Sequence, residues 1–222
     1  LKVTKPAITP VSVNREDQSE FLTNLLAEEV KDIEPVFLDF ENDIQKSNVG
    51  DVELFYKENT ENDRFKLNYI LEMGKDHDVK LKLAVDYLKY LGTDAMSPSQ
   101  KEEEFYKLGC DLSVNCGSEK TTITLSGLAN NFDESVALFE QILAGAVADD
   151  EALENLKLSE LKARNDAKLN KQIILWRAMG SYAKYGVNSS FMNILSEEEL
   201  ANVTSTELLD LIHNLTSYEH KI

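Results

Sequence analysis

The order of the strand-like and helix-like segments is the feature that most restricts how this chain can fold. Two strand-like segments, DVELFYKEN and RFKLNYILEM, are separated by the turn TEND. Two helical segments come next, followed by the strand-like pair CDLSVNC and TTITLSG and then by helices only. Apolar and polar residues alternate in the second pair, as in strands with one buried face. The order predicts an α+β two-layer sandwich, an antiparallel sheet covered by helices on one face.

Local signals predict where the helices begin and end. A first helix is expected from about Val79 to Leu91, and a second in SPSQKEEEFYKLG, with Ser97 as N-cap, Pro98 at the first helical position and Gly109 as its end. After Gly127 the sequence predicts a helix in DESVALFEQILAG, a long and interrupted helical run, and two short capped helices, SEEELANV and TSTELLDLIHNL.

The N-terminal part has a different character from the rest. Residues 1–20 contain two of the four prolines and show little periodicity, and FLTNLLAEEVKDI follows as a short amphipathic helix. EPVFLDFENDI has the aromatic and aliphatic content to tether this part to a domain. We therefore interpret residues 1–48 as a connector with a short helix and residues 49–222 as one α+β domain.

Charge and hydropathy exclude two classes of partner. The chain has 40 Asp and Glu against 23 Lys and Arg, a formal net charge of -17, so its surface repels the phosphate backbone of nucleic acids. No run reaches the roughly 20 apolar residues of a membrane span, which predicts a soluble chain without a membrane partner. No targeting signal is visible, so the sequence does not indicate a location.

Several segments together resemble the insulinase/pitrilysin family of zinc peptidases, peptidase M16. YLGT, FYKLGCDLSV, TTITLSGL, FDESVALFEQIL and LKLSELKARND have the order and spacing of that family over about residues 50–215. The resemblance implies the LuxS/mitochondrial-processing-peptidase-like metallohydrolase fold. It further implies the third of four such domains, in the second half of a larger peptidase, with LTSYEHKI ending just before the first strand of the next domain.

The resemblance also locates a metal motif that this chain lacks. Active domains of the family carry His-x-x-Glu-His on the first helix, where both histidines reach one Zn²⁺ and the glutamate activates the metal-bound water. In this chain those positions hold Leu83, Asp86 and Tyr87, and the downstream ligand position holds Glu160. Leucine has no ligand atom, and a tyrosine with a pKa of about 10 is a poor ligand at neutral pH. We therefore expect no catalytic residue and no metal site.

The function implied by the resemblance is that of a non-catalytic domain in a zinc-dependent metalloendopeptidase. Such a domain closes the peptide chamber and packs on the catalytic half, so its partners are that half and the peptide substrate. Zinc would belong to the parent's catalytic half, with no cofactor in this chain. An alternative is a stand-alone inactive subunit of a processing-peptidase-like complex. An active hydrolase with a remodelled site needs ligands that the sequence does not contain.

The remaining candidates have structural interpretations. His77 is expected in an exposed turn, His213 on a short helix and His220 near the chain end, a spacing that suits no zinc site on one helix. Asp86 and Glu160 could converge as a weak site for a hard cation. Cys110 and Cys116 lie on one strand, too far apart for a disulfide, and are expected to be free and buried. Trp176 is expected in the core or at a domain contact.

Overall fold

The computed structural model describes residues 14, 17–30 and 32–222. The remaining residues of the expected connector lie outside the described part. The chain divides into two compact units, Leu1–Asp39 and Phe40–Ile222. In the first unit, helix α1 (Glu20–Ala27) begins after Ser19, whose hydroxyl accepts a hydrogen bond from the Leu22 amide at 3.2 Å. This helix is shorter than the sequence predicts and has no buried residue.

The second unit contains a six-stranded sheet with the order β1-β2-β6-β3-β5-β4. Its strands are β1 (Gln45–Val49), β2 (Val52–Tyr56), β3 (Arg64–Leu71), β4 (Asp111–Cys116), β5 (Thr121–Leu128) and β6 (His220–Lys221). Every adjacent pair is antiparallel except β2 and β6, which run parallel. The predicted β4–β5 hairpin is confirmed, with Val114 opposite Ile123.

The first strand pair is arranged differently from the sequence-based expectation. Strands β2 and β3 are not neighbours, because β6 lies between them and pairs with both through Lys221. The segment LTSYEHKI thus contributes a short strand to this sheet. Residues 45–48, placed at the end of the expected connector, lie in β1, which pairs with β2.

The helices cover one face of the sheet, so the α+β two-layer fold is confirmed. They are α2 (Val79–Leu88), α3 (Pro98–Leu108), α4 (Phe132–Gly145), α5 (Asp150–Leu169), α6 (Gly180–Tyr185), α7 (Glu197–Asn202) and α8 (Ser205–His213), with a π-helical segment at Ile173–Met179. Along β5, Ile123 and Leu125 are buried while Thr122 and Thr124 are only half-buried. Helix α2 packs on β4 and α8, and α4 packs on β5.

Helix α3 forms between the two signals that predict it. The Ser97 hydroxyl accepts from the Gln100 amide at 3.3 Å, and the Gln100 side chain accepts from the Ser97 amide at 2.9 Å. At the other end Gly109 adopts φ 61°, a left-handed conformation that glycine takes without steric cost. The long helical run is interrupted as expected, since α5 ends at Leu169 and the π-helical segment begins four residues later.

Among the described residues, no helix is both long enough and apolar enough to cross a bilayer.

Candidate functional site

Helix α2 carries the three positions that the family resemblance assigns to the zinc motif. Its first turn is capped by Asp78, whose carboxylate accepts from the Lys80 amide at 2.8 Å. Leu83 is 6% exposed and Tyr87 is fully buried, and both belong to the main core cluster. Two of the three motif positions therefore supply packing in this fold, continuing the apolar stripe of the helix.

The Tyr87 hydroxyl is held by two hydrogen bonds to the residue that caps α5. It donates to the Asp149 carbonyl at 2.7 Å and accepts from the Asp149 amide, also at 2.7 Å. Burial, and then the negative charges of Asp149 and Asp150, raise the pKa of Tyr87 above its ordinary value despite the hydrogen bond. A metal would have to displace these contacts and deprotonate the phenol, so Tyr87 does not fit a zinc ligand.

Asp86 is engaged by two lysines of its own helix. Lys82 Nζ lies 2.6 Å from one carboxylate oxygen and Lys89 Nζ lies 2.9 Å from the other. Burial alone would raise the pKa of Asp86. Both lysines donate hydrogen bonds to the carboxylate and carry positive charge, and together these effects lower the pKa below its ordinary value. A general base near neutral pH needs a pKa close to neutrality, so this environment opposes that role.

Glu160 lies on α5 and pairs with Arg164 one turn later, Oε1 to Nε at 2.9 Å. The same guanidinium donates from Nη1 to the Leu195 carbonyl at 2.6 Å. Glu160 and Asp86 line one groove, so the fold brings the two carboxylates to a common surface. Each of them already has a basic partner, which opposes the binding of a cation between them.

The arrangement does not fit a zinc ion. Leu83 has no ligand atom, Tyr87 turns its hydroxyl toward Asp149, and the two carboxylates are paired with basic side chains. Within residues 14, 17–30 and 32–222, no cluster of three or more His, Cys, Asp or Glu side chains could hold a metal ion.

The groove beside these residues has a volume of 680 Å³. Its walls come from α2, from the turn after β4, from α5 and from the segment between Trp176 and Leu195. Basic side chains outnumber acidic ones among the lining residues; these are Lys75, Lys82, Arg164, Arg177 and Lys184 against Asp86 and Glu160. The sequence analysis did not find this basic surface, because its members are scattered over more than 100 positions of the chain.

Of the two placements expected for Trp176, the core and a domain contact, the structure excludes the core. The side chain is 75% exposed and lines the groove from the π-helical segment. The 3.6-residue period of an α-helix does not predict which way the Trp176 side chain faces, because a π-helical turn shifts the direction of each side chain that follows.

The histidines and cysteines have local roles. His77 lies in an exposed turn, as expected, where its Nδ1 accepts from the Gly74 amide at 3.2 Å. His213 Nε2 donates to the Ala146 carbonyl at 3.1 Å, and His220 Nδ1 donates to the Tyr218 carbonyl at 2.7 Å. Both thiols are free; Cys116 is buried and Cys110 is half-buried.

Solved structures share this fold. The inactive domain of peptidase M16 from Pseudomonas fluorescens superposes with a TM-score of 0.63 at 17% identity, covering 76% of this chain and 42% of that one. The periplasmic protease PqqL from Escherichia coli superposes with a TM-score of 0.60 at 14% sequence identity, and the match covers 88% of this chain and 24% of that one. The ferredoxin protease FusC, solved with Arabidopsis ferredoxin, superposes with a TM-score of 0.63 at 13% sequence identity, and the match covers 96% of this chain and 26% of that one.

These comparisons establish a shared fold. No family model and no curated protein matches the sequence. The chain spans less than half of the length of each of these solved structures. It has the fold of M16 peptidase domains, and one of the structures that share it is described as an inactive domain.

Proposed function

We propose that this chain is a non-catalytic domain of a zinc-dependent, insulinase-like metalloendopeptidase, where it closes a peptide chamber and packs on the catalytic half. The observation that carries the proposal is the use of the zinc-motif positions for structure. Leu83 and Tyr87 are core residues, and Asp86 is paired with two lysines. The fold shared with an M16 inactive domain supports the same role.

An exposed apolar stripe supports packing against another domain. Leu175 and Met179 lie in the π-helical segment and Tyr182 lies in the following helix α6, so the three apolar side chains come close together along the chain. Their exposures are 51%, 58% and 61%. They are absent from the groove lining, so the stripe and the groove are separate surfaces. Contiguous exposed apolar side chains are typical of interaction sites.

A polypeptide substrate is the second part of the proposal. FusC was solved in complex with a ferredoxin, so one protein of this fold acts on a protein of that kind. By analogy, the parent of this chain would cleave peptides or small proteins with zinc held by its catalytic half. This domain would contribute chamber wall and no metal ligand.

The test begins with the purified chain. Elemental analysis with and without added Zn²⁺ should find no stoichiometric zinc, and peptide hydrolysis sensitive to a chelator should be absent. Stoichiometric zinc or such hydrolysis would refute the proposal.

The second stage uses the catalytic half encoded in the same reading frame, produced separately and mixed with this chain. Association and a gain in peptidase activity are expected. The double variant Met179→Glu/Tyr182→Glu should weaken association, whereas Tyr106→Glu, at an aromatic residue 86% exposed on α3, should not. A natural reading frame that ends near Ile222 would instead support the alternative, a separate inactive subunit.

A further inference from the structure

The groove at the degenerate metal position has a charge opposite to that of the whole chain. The protein carries a formal net charge of -17, yet five basic and two acidic side chains line this cavity. A concave surface with low-dielectric walls concentrates the field of its charges, so a local basic excess attracts anions even on an acidic protein.

Among the residues that the structure describes, three of these basic side chains have no carboxylate partner. Lys82 and Arg164 are paired with Asp86 and Glu160. In the described part of the chain, by contrast, the other three form no ion pair; these are Lys75, Arg177 and Lys184. These charges remain available to an anionic ligand.

Two of the basic groups are held in place by backbone carbonyls. Lys75 Nζ donates to the Ser190 carbonyl at 2.5 Å. Arg164, with a side chain only 19% exposed, uses Nε for Glu160 and one Nη1 hydrogen for Leu195. A guanidinium has five N–H donors, so three remain, including both on Nη2. A fixed guanidinium with free donors is suited to a bidentate contact with a carboxylate.

Aromatic side chains complete the groove. Trp176, Tyr185 and Phe191 line it together with the basic residues. Lys184 Nζ lies 4.9 Å from the centroid of the Tyr185 ring. A volume of 680 Å³ is within the usual range of ligand sites, which combine apolar walls with a few polar groups. This combination suits a peptide segment, which offers both side-chain carboxylates and apolar surface.

We propose that this groove binds an acidic segment of a polypeptide, with Arg164, Lys75, Arg177 and Lys184 contacting its carboxylates. This proposal rests on the proposed function: it names the class of polypeptide that this part of the chamber wall binds. A nucleic acid is disfavoured, because a long polyanion that enters the groove must also cross the acidic surface outside it.

The single tryptophan provides a direct assay, because Trp176 lies in the groove. The full chain is titrated with a synthetic peptide rich in Glu and Asp, and the emission of Trp176 is followed. Saturable binding is expected, together with much weaker binding of the Gln and Asn version of the same peptide. A roughly tenfold rise in ionic strength should weaken binding to the acidic peptide, because exposed charge pairs are screened.

A double variant and a matched control locate the binding. Arg177→Gln/Lys184→Gln should raise Kd by about three- to tenfold, as expected for the loss of two partly exposed charge contacts. Lys46→Gln/Lys66→Gln removes the same charge from β1 and β3, outside the groove, and should leave Kd unchanged. Circular dichroism verifies that both variants fold.

Three outcomes would overturn the proposal: no saturable binding, equal binding of the acidic and amide peptides, or equal losses in the two double variants. Competition by a single-stranded oligonucleotide at equal affinity would overturn it in favour of a general anion site. The assay contains no catalytic half. If the acidic peptide does not bind but the two halves still associate, only the acidic ligand is refuted. If the peptide binds but the halves do not associate, only the chamber role is refuted.

Discussion

The Tyr87 hydroxyl offers the sharpest test of how the position assigned to the second histidine of the zinc motif is used. Tyr87→Phe keeps the ring and its volume in a fully buried position, so no cavity is created. The change removes both 2.7 Å hydrogen bonds to the Asp149 backbone. Each such bond contributes about 1 kcal/mol net. Asp149 is an exposed residue, so water can partly replace the hydroxyl. We expect the free energy of unfolding to fall by about 1–2 kcal/mol.

Chemical denaturation measures this loss, and thermal unfolding should show a decrease in Tm of about 3–6 °C for a chain of this size. Tyr90→Phe is the matched control, since Tyr90 lies just beyond the same helix and is 53% exposed. Its effect should stay within about 0.5 kcal/mol, as for ordinary surface substitutions. Equal effects of the two variants would refute the argument that the hydroxyl anchors α5.

The pH dependence of the difference gives a second measurement. The folded-state pKa of Tyr87 is raised, first by burial and then by nearby negative charge. Its contribution is therefore complete below the unfolded pKa of about 10 and is lost as pH rises through the folded-state pKa. The stability difference between wild type and Tyr87→Phe should be constant from pH 6 to about 9 and decrease at higher pH. A difference that grows above pH 10 would contradict the assignment.

Two further predictions concern caps. Lys101 is 4% exposed, and its Nζ donates to the carbonyl of Leu88 at the end of α2, at 3.4 Å, and to that of Leu91 just beyond it, at 2.9 Å. Lys101→Met should therefore lower the free energy of unfolding by about 1–3 kcal/mol in urea, against a smaller effect of the exposed Lys107→Met. Hydrogen bonds from the Thr204 amide and from Lys80 lower the pKa of Glu207 to about 2. Its contribution is present above the unfolded pKa of about 4.3 and is lost as pH falls toward 2, so wild type and Glu207→Gln should converge in stability between pH 5 and 2.

Predictions that depended on neighbouring residues agree with the structure. Helix α3 has its cap at Ser97 and its left-handed end at Gly109, and the β4–β5 hairpin forms with alternating burial. Caps, terminators and alternation act over a few positions of the chain, so the sequence contains their whole physical cause.

Features made by distant segments were predicted less well. The strand β6 fills the gap between β2 and β3 from more than 140 positions away, and no local pattern identifies its partners. The ion pairs of Asp86 illustrate the intermediate case. Lys82 and Lys89 are four and three residues away on one helix and were available in the sequence as partners.

By itself, the sequence determined both ends of helix α3, the β4–β5 hairpin and the absence of histidine from the motif positions, because each is encoded within a few adjacent residues. Only the tertiary structure decided that Tyr87 anchors α5, that Trp176 is exposed and that five basic side chains meet in one groove. Those properties arise from long-range packing, which sets the direction and neighbours of each side chain.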